Sequence, residues 1–399
     1  MYHHTFLTTE KTRCYYCGNN PTNHTSAWID SWVLIGLNRW LYTILNTWFG
    51  WVLVFLTDQL FALMIWFFER VGIARFNPDH TIITSGRGQV MAEEAMRRGW
   101  PFETLVVCGL VHDAYRLTLP TDRRIFFSGV PRLGRMEAAI SGWMDDKAML
   151  KKRLMQRGVS VSRGDTFTRL APARRFFATL QKPVIIKPRF GSRGRHTTTH
   201  IYTVADFEKA FWIAKQLCIG VIVEEHLVGS VYRGTMIGGK LVGVLSAVPP
   251  RITGDGIHTI SELIMTKNAT RPDRVGEVVV TDITRVFLAR LKQTLETILP
   301  DGTTIDLTEK VGLSYGGASQ DDTPAVHPKL RAELEKAAAA VNDSIYGFDF
   351  ISPDISVDPD TVQWGIIECN SVPFINLHHY PLFGAPINVA AALFDNLLK

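Results

Sequence analysis

The sequence predicts an α+β protein, a strand-and-helix body preceded by a small α/β layer and a hydrophobic helical segment. Three observations lead there. From residue 78 onward, short runs of β-branched residues alternate with stretches of helical periodicity. Two of those runs end on charged or amide side chains, 182–187 on Lys187 and 364–370 on Glu368 and Asn370. Ahead of them, residues 28–68 are dominated by Trp, Leu, Phe, Ile and Val, contain no proline, and read as helix. A chain of 399 residues with 46% hydrophobic content can bury two or three cores.

The N-terminal part divides into a CxxC segment, 1–27, and the hydrophobic segment, 28–75. The five cysteines are an odd number scattered along the chain, which argues against a disulfide framework and for a reducing setting. Cys14 and Cys17, with His24 or with His3 and His4, have the ligand types zinc prefers. No second CxxC completes the set, so zinc at Cys14/Cys17 is not the expectation; an unliganded or redox-labile pair is. Residues 40–56 and 60–68 are each short for a span of about twenty apolar residues, and Asp30, Arg39 and Asp58 interrupt the apolar character. Three readings remain: a hairpin in or across a membrane, interfacial helices with tryptophans at headgroup level, or an arm against a partner subunit. The density of tryptophan favours a membrane surface, with Glu69, Arg70 and Arg75 marking a cytoplasmic exit. The segment begins too late and runs too long for a cleavable signal peptide.

The charge balance, 43 basic against 38 acidic residues, excludes a disordered tail protein. Within 147–195, however, fourteen Lys or Arg accompany a single acid, Asp165, which calls for an anionic ligand. No stacking aromatics interleave these charges, so no nucleic acid is expected.

Residues 76–141 read as the small α/β domain: strands at 81–84, 105–108 and 124–127, and a helix at 88–98 ended by Gly99. Residues 85–88, Ser-Gly-Arg-Gly, read as the turn that starts the helix rather than as a phosphate cradle.

Residues 142–399 hold the chemistry. Asp146 and Lys147 open a helix through Leu150 and Leu154 that stops at Gly158. The strand 182–187 delivers Lys187, and Gly191, Ser192, Arg193 and Gly194 follow as a loop whose backbone N–H groups can approach phosphate oxygens. The strand 221–223 leads into the acceptors Glu224 and Glu225. A hairpin of 347–350 with 364–370 sets Asp349, Glu368 and Asn370 as hard oxygen donors, Glu368 and Asn370 sharing one strand face. Such oxygens suit magnesium shared with nucleotide phosphates. His378 and His379 read either as a metal or general-base pair or as a turn packing on the last helix.

From these motifs the region 142–399 resembles the ATP-grasp domain of cyanophycin synthetase and of bifunctional glutathione synthetases, and more distantly D-alanine–D-alanine ligase. The most specific match is 248–264, with Gly254, Asp255, Gly256, His258, Thr259 and Glu262; 313–318 and 373–381 add to it. The resemblance implies an ATP-grasp fold, two α+β subdomains clasping ATP, with 182–225 as the lid. It implies Lys147 and Lys187 on the ATP phosphates, Glu224 near the adenine amino group, Arg233 on phosphate or substrate carboxylate, and Asp349, Glu368 and Asn370 on magnesium, with manganese as an alternative. It further implies a ligase that activates a carboxylate as an acyl-phosphate and joins it to an amine, the substrates being amino acids or peptides, in a homo-oligomer. Four positions depart from the pattern: Val231 where an acid is usual, Ala247 and Ile387 where arginines are, and Gly312 where asparagine is. Val231, Ala247 and Ile387 motivate an alternative, a membrane-tethered ATP-binding regulatory or scaffold module without ligase activity.

Overall fold

The computed structural model describes residues 14–17, 21–45, 47–132, 141–191 and 194–399. They divide into two compact units, Met1–Gly36 with Arg163–His226, and Leu37–Ser162 with Leu227–Lys399. The hydrophobic segment forms two helices, His24–Leu45 and Trp48–Arg70. Among the described residues no helix is long and apolar enough to cross a membrane. Trp28, Trp32, Trp48 and Trp66 are exposed.

The first unit carries an antiparallel sheet in the order Gly164–Phe167, Val221–Glu225, Val184–Pro188, Thr198–Ile201. Helices Leu170–Phe177 and Val204–Lys215 pack Phe177, Phe207 and Phe211 onto Val184, Ile186, Val221 and Val223. The start of the first helix is fastened to this unit: the Ile219 N–H donates to the buried Ser31 hydroxyl at 3.0 Å.

The second unit begins with a four-stranded antiparallel sheet, Ala74–Asn77, Phe102–Val107, Leu110–Thr118, Arg124–Ser128. Helix Gly86–Arg98 covers it and ends on Gly99 in the left-handed region (φ +69°). The strand expected at 81–84 is instead a short 3-10 turn, His80–Ile82. Asp79 explains the difference, because its carboxylate accepts the Thr81 N–H at 2.9 Å and turns the backbone where β-branched residues alone suggested a strand. The expectation for 85–88 as a helix start agrees with the structure, and Arg87 pairs with Asp113 at 2.6 Å.

A five-stranded antiparallel sheet forms the centre of this unit, in the order Ala318–Asp321, Lys240–Val248, Ser230–Ile237, Ile345–Ser352, Gly365–Asn370. Strand alternation gives it two different faces. Tyr232, Met236, Tyr346, Phe348 and Phe350 pack against helices Lys147–Gln156 and Pro328–Val341 through Leu150, Leu154, Leu330 and Leu334. Arg233, Thr235 and Asp349 belong to the opposite face.

Candidate functional site

Register assembles the charges of the second unit. Arg233 is the cross-strand partner of Asp349, and Asp349 is the partner of Glu368, so three neighbouring strands place the three groups in one row. Asn370 lies one row along, opposite Gly347. The hairpin register shifts at Ile367: Asp349 pairs with Glu368, but Phe350 pairs with Ile366. This bulge keeps Ile366 in the aromatic core while Glu368 and Asn370 remain on the charged face. Without it, Ile366 would share their face.

The Arg233 guanidinium donates to both Asp349 oxygens at 2.7 Å, a fork-to-fork pair. Burial pushes the Asp349 carboxyl up, to about 6; Arg233 opposes that and the neighbouring Glu368 adds to it. Burial works against the Arg233 charge, but Asp349 more than offsets it and holds the guanidinium above its ordinary range. Lys147 reaches Glu368 at 3.2 Å.

Two adjacent acids position Lys147. The buried Asp146 caps its helix, accepting the N–H groups of Ala148 (3.0 Å) and Met149 (3.3 Å). Asp145 accepts the Ser371 N–H at 2.9 Å and hydroxyl at 2.7 Å, fixing the helix start to the residue after Asn370. The Asp-Asp pair before Lys147 is a readable helix-start signal, whereas the reach of Asp145 to Ser371 has no sequence signature. Burial, followed by Arg233 and His379, pushes the His378 imidazole down to about 3, and its Nε2 lies 2.7 Å from the Thr235 hydroxyl. His379 accepts the Ala390 N–H at 3.2 Å, which agrees with a turn packed on the last helix.

In the first unit, Lys187 stands opposite Ile222 and Glu224 opposite Ile185, a diagonal pair on one sheet face. Their side chains form an ion pair and are 8% and 3% exposed. Gly164, opposite Glu224, is required there: a Cβ would lie 2.2 Å from the Glu224 Cβ and 2.7 Å from backbone atoms of Val223 and Glu224. Glu225 turns to other partners, accepting the Gln181 N–H at 2.9 Å and pairing with Arg163 at 3.6 Å. Gly191 and Gly194 have φ of +128° and +61°, which favour glycine. Ser192 and Arg193 lie outside the described residues.

The segment 248–264 is a turn and a helix start. Asp255 accepts the N–H groups of Ile257 (2.9 Å) and His258 (2.8 Å), and Thr259 with Glu262 forms a capping box for helix Ile260–Thr270. Of the four departures, Val231 and Ala247 are direct cross-strand partners. Gly312 has φ +95°, which disfavours asparagine's Cβ there. The Ile387 N–H donates to the His378 carbonyl at 2.8 Å.

The sheets, the lysine–acid pair of the first unit and the acid row of the second make this an ATP-grasp fold. In sequence, the chain resembles the glutathione biosynthesis bifunctional protein GshAB of Mannheimia succiniciproducens, 30% identical over 273 residues, covering 64% of this chain and 36% of that protein. Cyanophycin synthetase of Trichormus variabilis is 29% identical over 316 residues, covering 77% and 34%. That of Geminocystis herdmanii is 33% identical over 263 residues, covering 63% and 30%. The chain thus spans about a third of the length of these relatives. In structure, a bifunctional glutathione synthetase from Pasteurella multocida superposes with a TM-score of 0.57 at 25% identity, over 78% of this chain and 43% of that one. No protein-family model matches the chain.

Proposed function

We propose that the chain is an ATP- and magnesium-dependent ligase that joins a carboxylate to an amine through an acyl-phosphate. The observation that carries this reading is the row Arg233–Asp349–Glu368, with Lys147 on Glu368 and Asn370 beside it. The donors suit a hard divalent cation: two carboxylates and an amide supply oxygen ligands from adjacent strands, and a cation would relieve the cost of burial, with the smaller contribution of Glu368, that pushes the Asp349 carboxyl up. Asp349, Glu368 and Asn370 would hold magnesium, or manganese in its place, which when bound neutralises charge on the phosphate oxygens.

The remaining work is positioning and electrostatics. Lys147 and Lys187 supply fixed positive charge for the transferring phosphoryl group, and the Gly191–Gly194 loop supplies backbone N–H donors. Glu224 accepts from the adenine amino group. Arg233 orients the substrate carboxylate, whose oxygen attacks the γ-phosphorus and releases ADP. A neutral amine then attacks the acyl carbon, phosphate departs, and the nitrogen loses a proton to give the amide. No protein nucleophile is required.

The names of the relatives, glutathione and cyanophycin synthetases, support an amino acid or short peptide as substrate. The exposed tryptophans of 28–68 support a contact of that segment with a membrane surface or a partner subunit of a homo-oligomer, the catalytic part lying on the cytoplasmic side. The joint loss of charge at Val231 and Ala247 favours, as a second reading, an ATP-binding regulatory module.

Phosphate and ADP release would be measured with magnesium-ATP and paired amino acids and peptides, beside Lys187→Ala and Glu368→Ala. Release that needs both partners and disappears in both variants is expected. ATP binding without release for any pair would overturn the ligase reading in favour of the regulatory one.

A further inference from the structure

The CxxC pair of the N-terminal segment has partners that the linear sequence hides. Cys14, Cys17, His24 and His196 converge within the first unit, and one potential ligand atom from each lies within 4.8 Å of all the others. The Cys14 Sγ is 3.4 Å from the His196 Nε2; the Cys17 Sγ is 3.3 Å from the His24 Nε2 and 3.6 Å from the His196 Nε2. A tetrahedral ion with metal–sulfur bonds of about 2.3 Å and metal–nitrogen bonds of about 2.05 Å sets sulfur and nitrogen about 3.6 Å apart. The observed separations therefore match ligands around a common centre.

Three further features distinguish this from a chance meeting of polar side chains. His196 is 1% exposed and Cys17 is fully buried. The other ring nitrogen of His196, Nδ1, lies 2.7 Å from the Ile213 carbonyl. Donation to that carbonyl fixes the tautomer and leaves the Nε2 lone pair directed at the two sulfurs, the usual arrangement behind a metal-bound histidine. The backbone also converges: the His196 N–H donates to the Tyr16 carbonyl at 3.0 Å, and His196 adopts φ +50°, an uncommon conformation for a side-chain-bearing residue.

We propose that Cys14, Cys17, His24 and His196 bind one zinc ion in a closed tetrahedral site that fastens the start of the first helix to the sheet unit. The ligand set, two sulfurs and two imidazole nitrogens, is that of structural zinc, and four protein ligands leave no position open for catalysis. The sequence expectation rested on nearby histidines and a missing second CxxC. Instead His196 is contributed from 179 positions beyond Cys17, two residues past Gly194. The ion therefore also anchors the downstream end of the glycine loop. Chelation by four side chains couples metal binding to the placement of Cys14, Cys17 and His24 against His196.

The test is the metal content of the full chain purified under reducing conditions without added metal, alongside Cys17→Ser and His196→Ala. One zinc per wild-type chain and almost none in either variant is expected. Because a variant could lose metal by misfolding, the wild-type protein would also be exchanged with cobalt. Intense visible d–d bands with thiolate-to-cobalt charge transfer report a tetrahedral site containing two sulfurs. A metal-free wild type that fails to take up cobalt, an octahedral cobalt spectrum, or undiminished zinc in folded His196→Ala would each overturn the proposal. These readouts are independent of whether the chain is a ligase.

Discussion

Replacing Lys187 by methionine keeps most of the length of the side chain and removes its charge, and so takes away one member of an ion pair whose other member, Glu224, is only 3% exposed. Breaking one side of a buried pair costs roughly 3–5 kcal/mol. An independent bound comes from protonation. An acid that ionises near pH 4.3 in an open chain requires about 3.7 kcal/mol to be kept neutral at pH 7, so the deficit should not exceed that figure, because Glu224 can take up a proton instead. The two figures agree, and the second adds a signature: the deficit should shrink as pH falls toward the carboxylate range, where neutralisation becomes free. The double variant Lys187→Met/Glu224→Leu should recover most of the stability, because an apolar pair of similar volume replaces the ions. It should not recover ATP binding, because both proposed nucleotide contacts are gone. Urea unfolding across pH and calorimetric titration with ATP measure the two effects separately. A Lys187→Met variant as stable as the wild type would refute the burial argument. A double variant with undiminished ATP affinity would refute the placement of this pair in the nucleotide site.

Further outcomes follow from the neighbouring geometry. Gly164→Ala should destabilise by about 1–3 kcal/mol through overpacking against strand backbone, read by urea unfolding, and should weaken ATP binding by displacing Glu224. Asp146→Ala removes the cap of the Lys147 helix and should cost about 0.5–2 kcal/mol; Asp146→Ser, which keeps a capping oxygen, should recover much of it in the same measurement. Glu94 resists burial through Arg97, Arg98 and Asn388, which hold its carboxyl down at about 2. Its folded pKa lies below its unfolded one, so its contribution is complete above about pH 4.5 and is lost as pH falls toward 2, up to roughly 3 kcal/mol in all. Glu94→Gln should flatten acid unfolding across that window.

The charged strands were legible because each is a short apolar run ending on a polar residue: 182–187 corresponds to Val184–Pro188 and 364–370 to Gly365–Asn370. The pairing of 364–370 with 347–350 was legible as a hairpin, and the shared face of Glu368 and Asn370 followed from alternation. The bulge at Ile367 did not, because which of two adjacent isoleucines leaves the ladder depends on the register of the partner strand. Nor did the pairing of Arg233 with Asp349, 116 positions apart. The expected strand at 81–84 failed because one aspartate outcompeted the ladder locally. The segment of highest family likeness, 248–264, proves to hold a turn and a helix cap, so Asp255, Thr259 and Glu262 have local structural work that their types and spacing announce. His24 was in view beside Cys14 and Cys17, but His196 was not, because a ligand 179 positions beyond Cys17 has no local spacing to read.

The helix Val389–Leu397 completes a core begun by Gly86–Arg98: Phe394 stacks on Trp100 with ring centres 5.5 Å apart, Asn388 donates to Glu94 across 294 positions, and Arg98 donates to the Ala391 carbonyl across 293. Synthesis proceeds from the other end. While the ribosome works through the intervening residues, the apolar face of Gly86–Arg98 lacks the side chains that later cover it. This core is therefore among the last parts of the chain to close, governed by contacts of very long sequence separation. A nascent chain paused before residue 389 would display Val90, Met91 and Ala95 to whatever chaperone or aggregating neighbour it meets first.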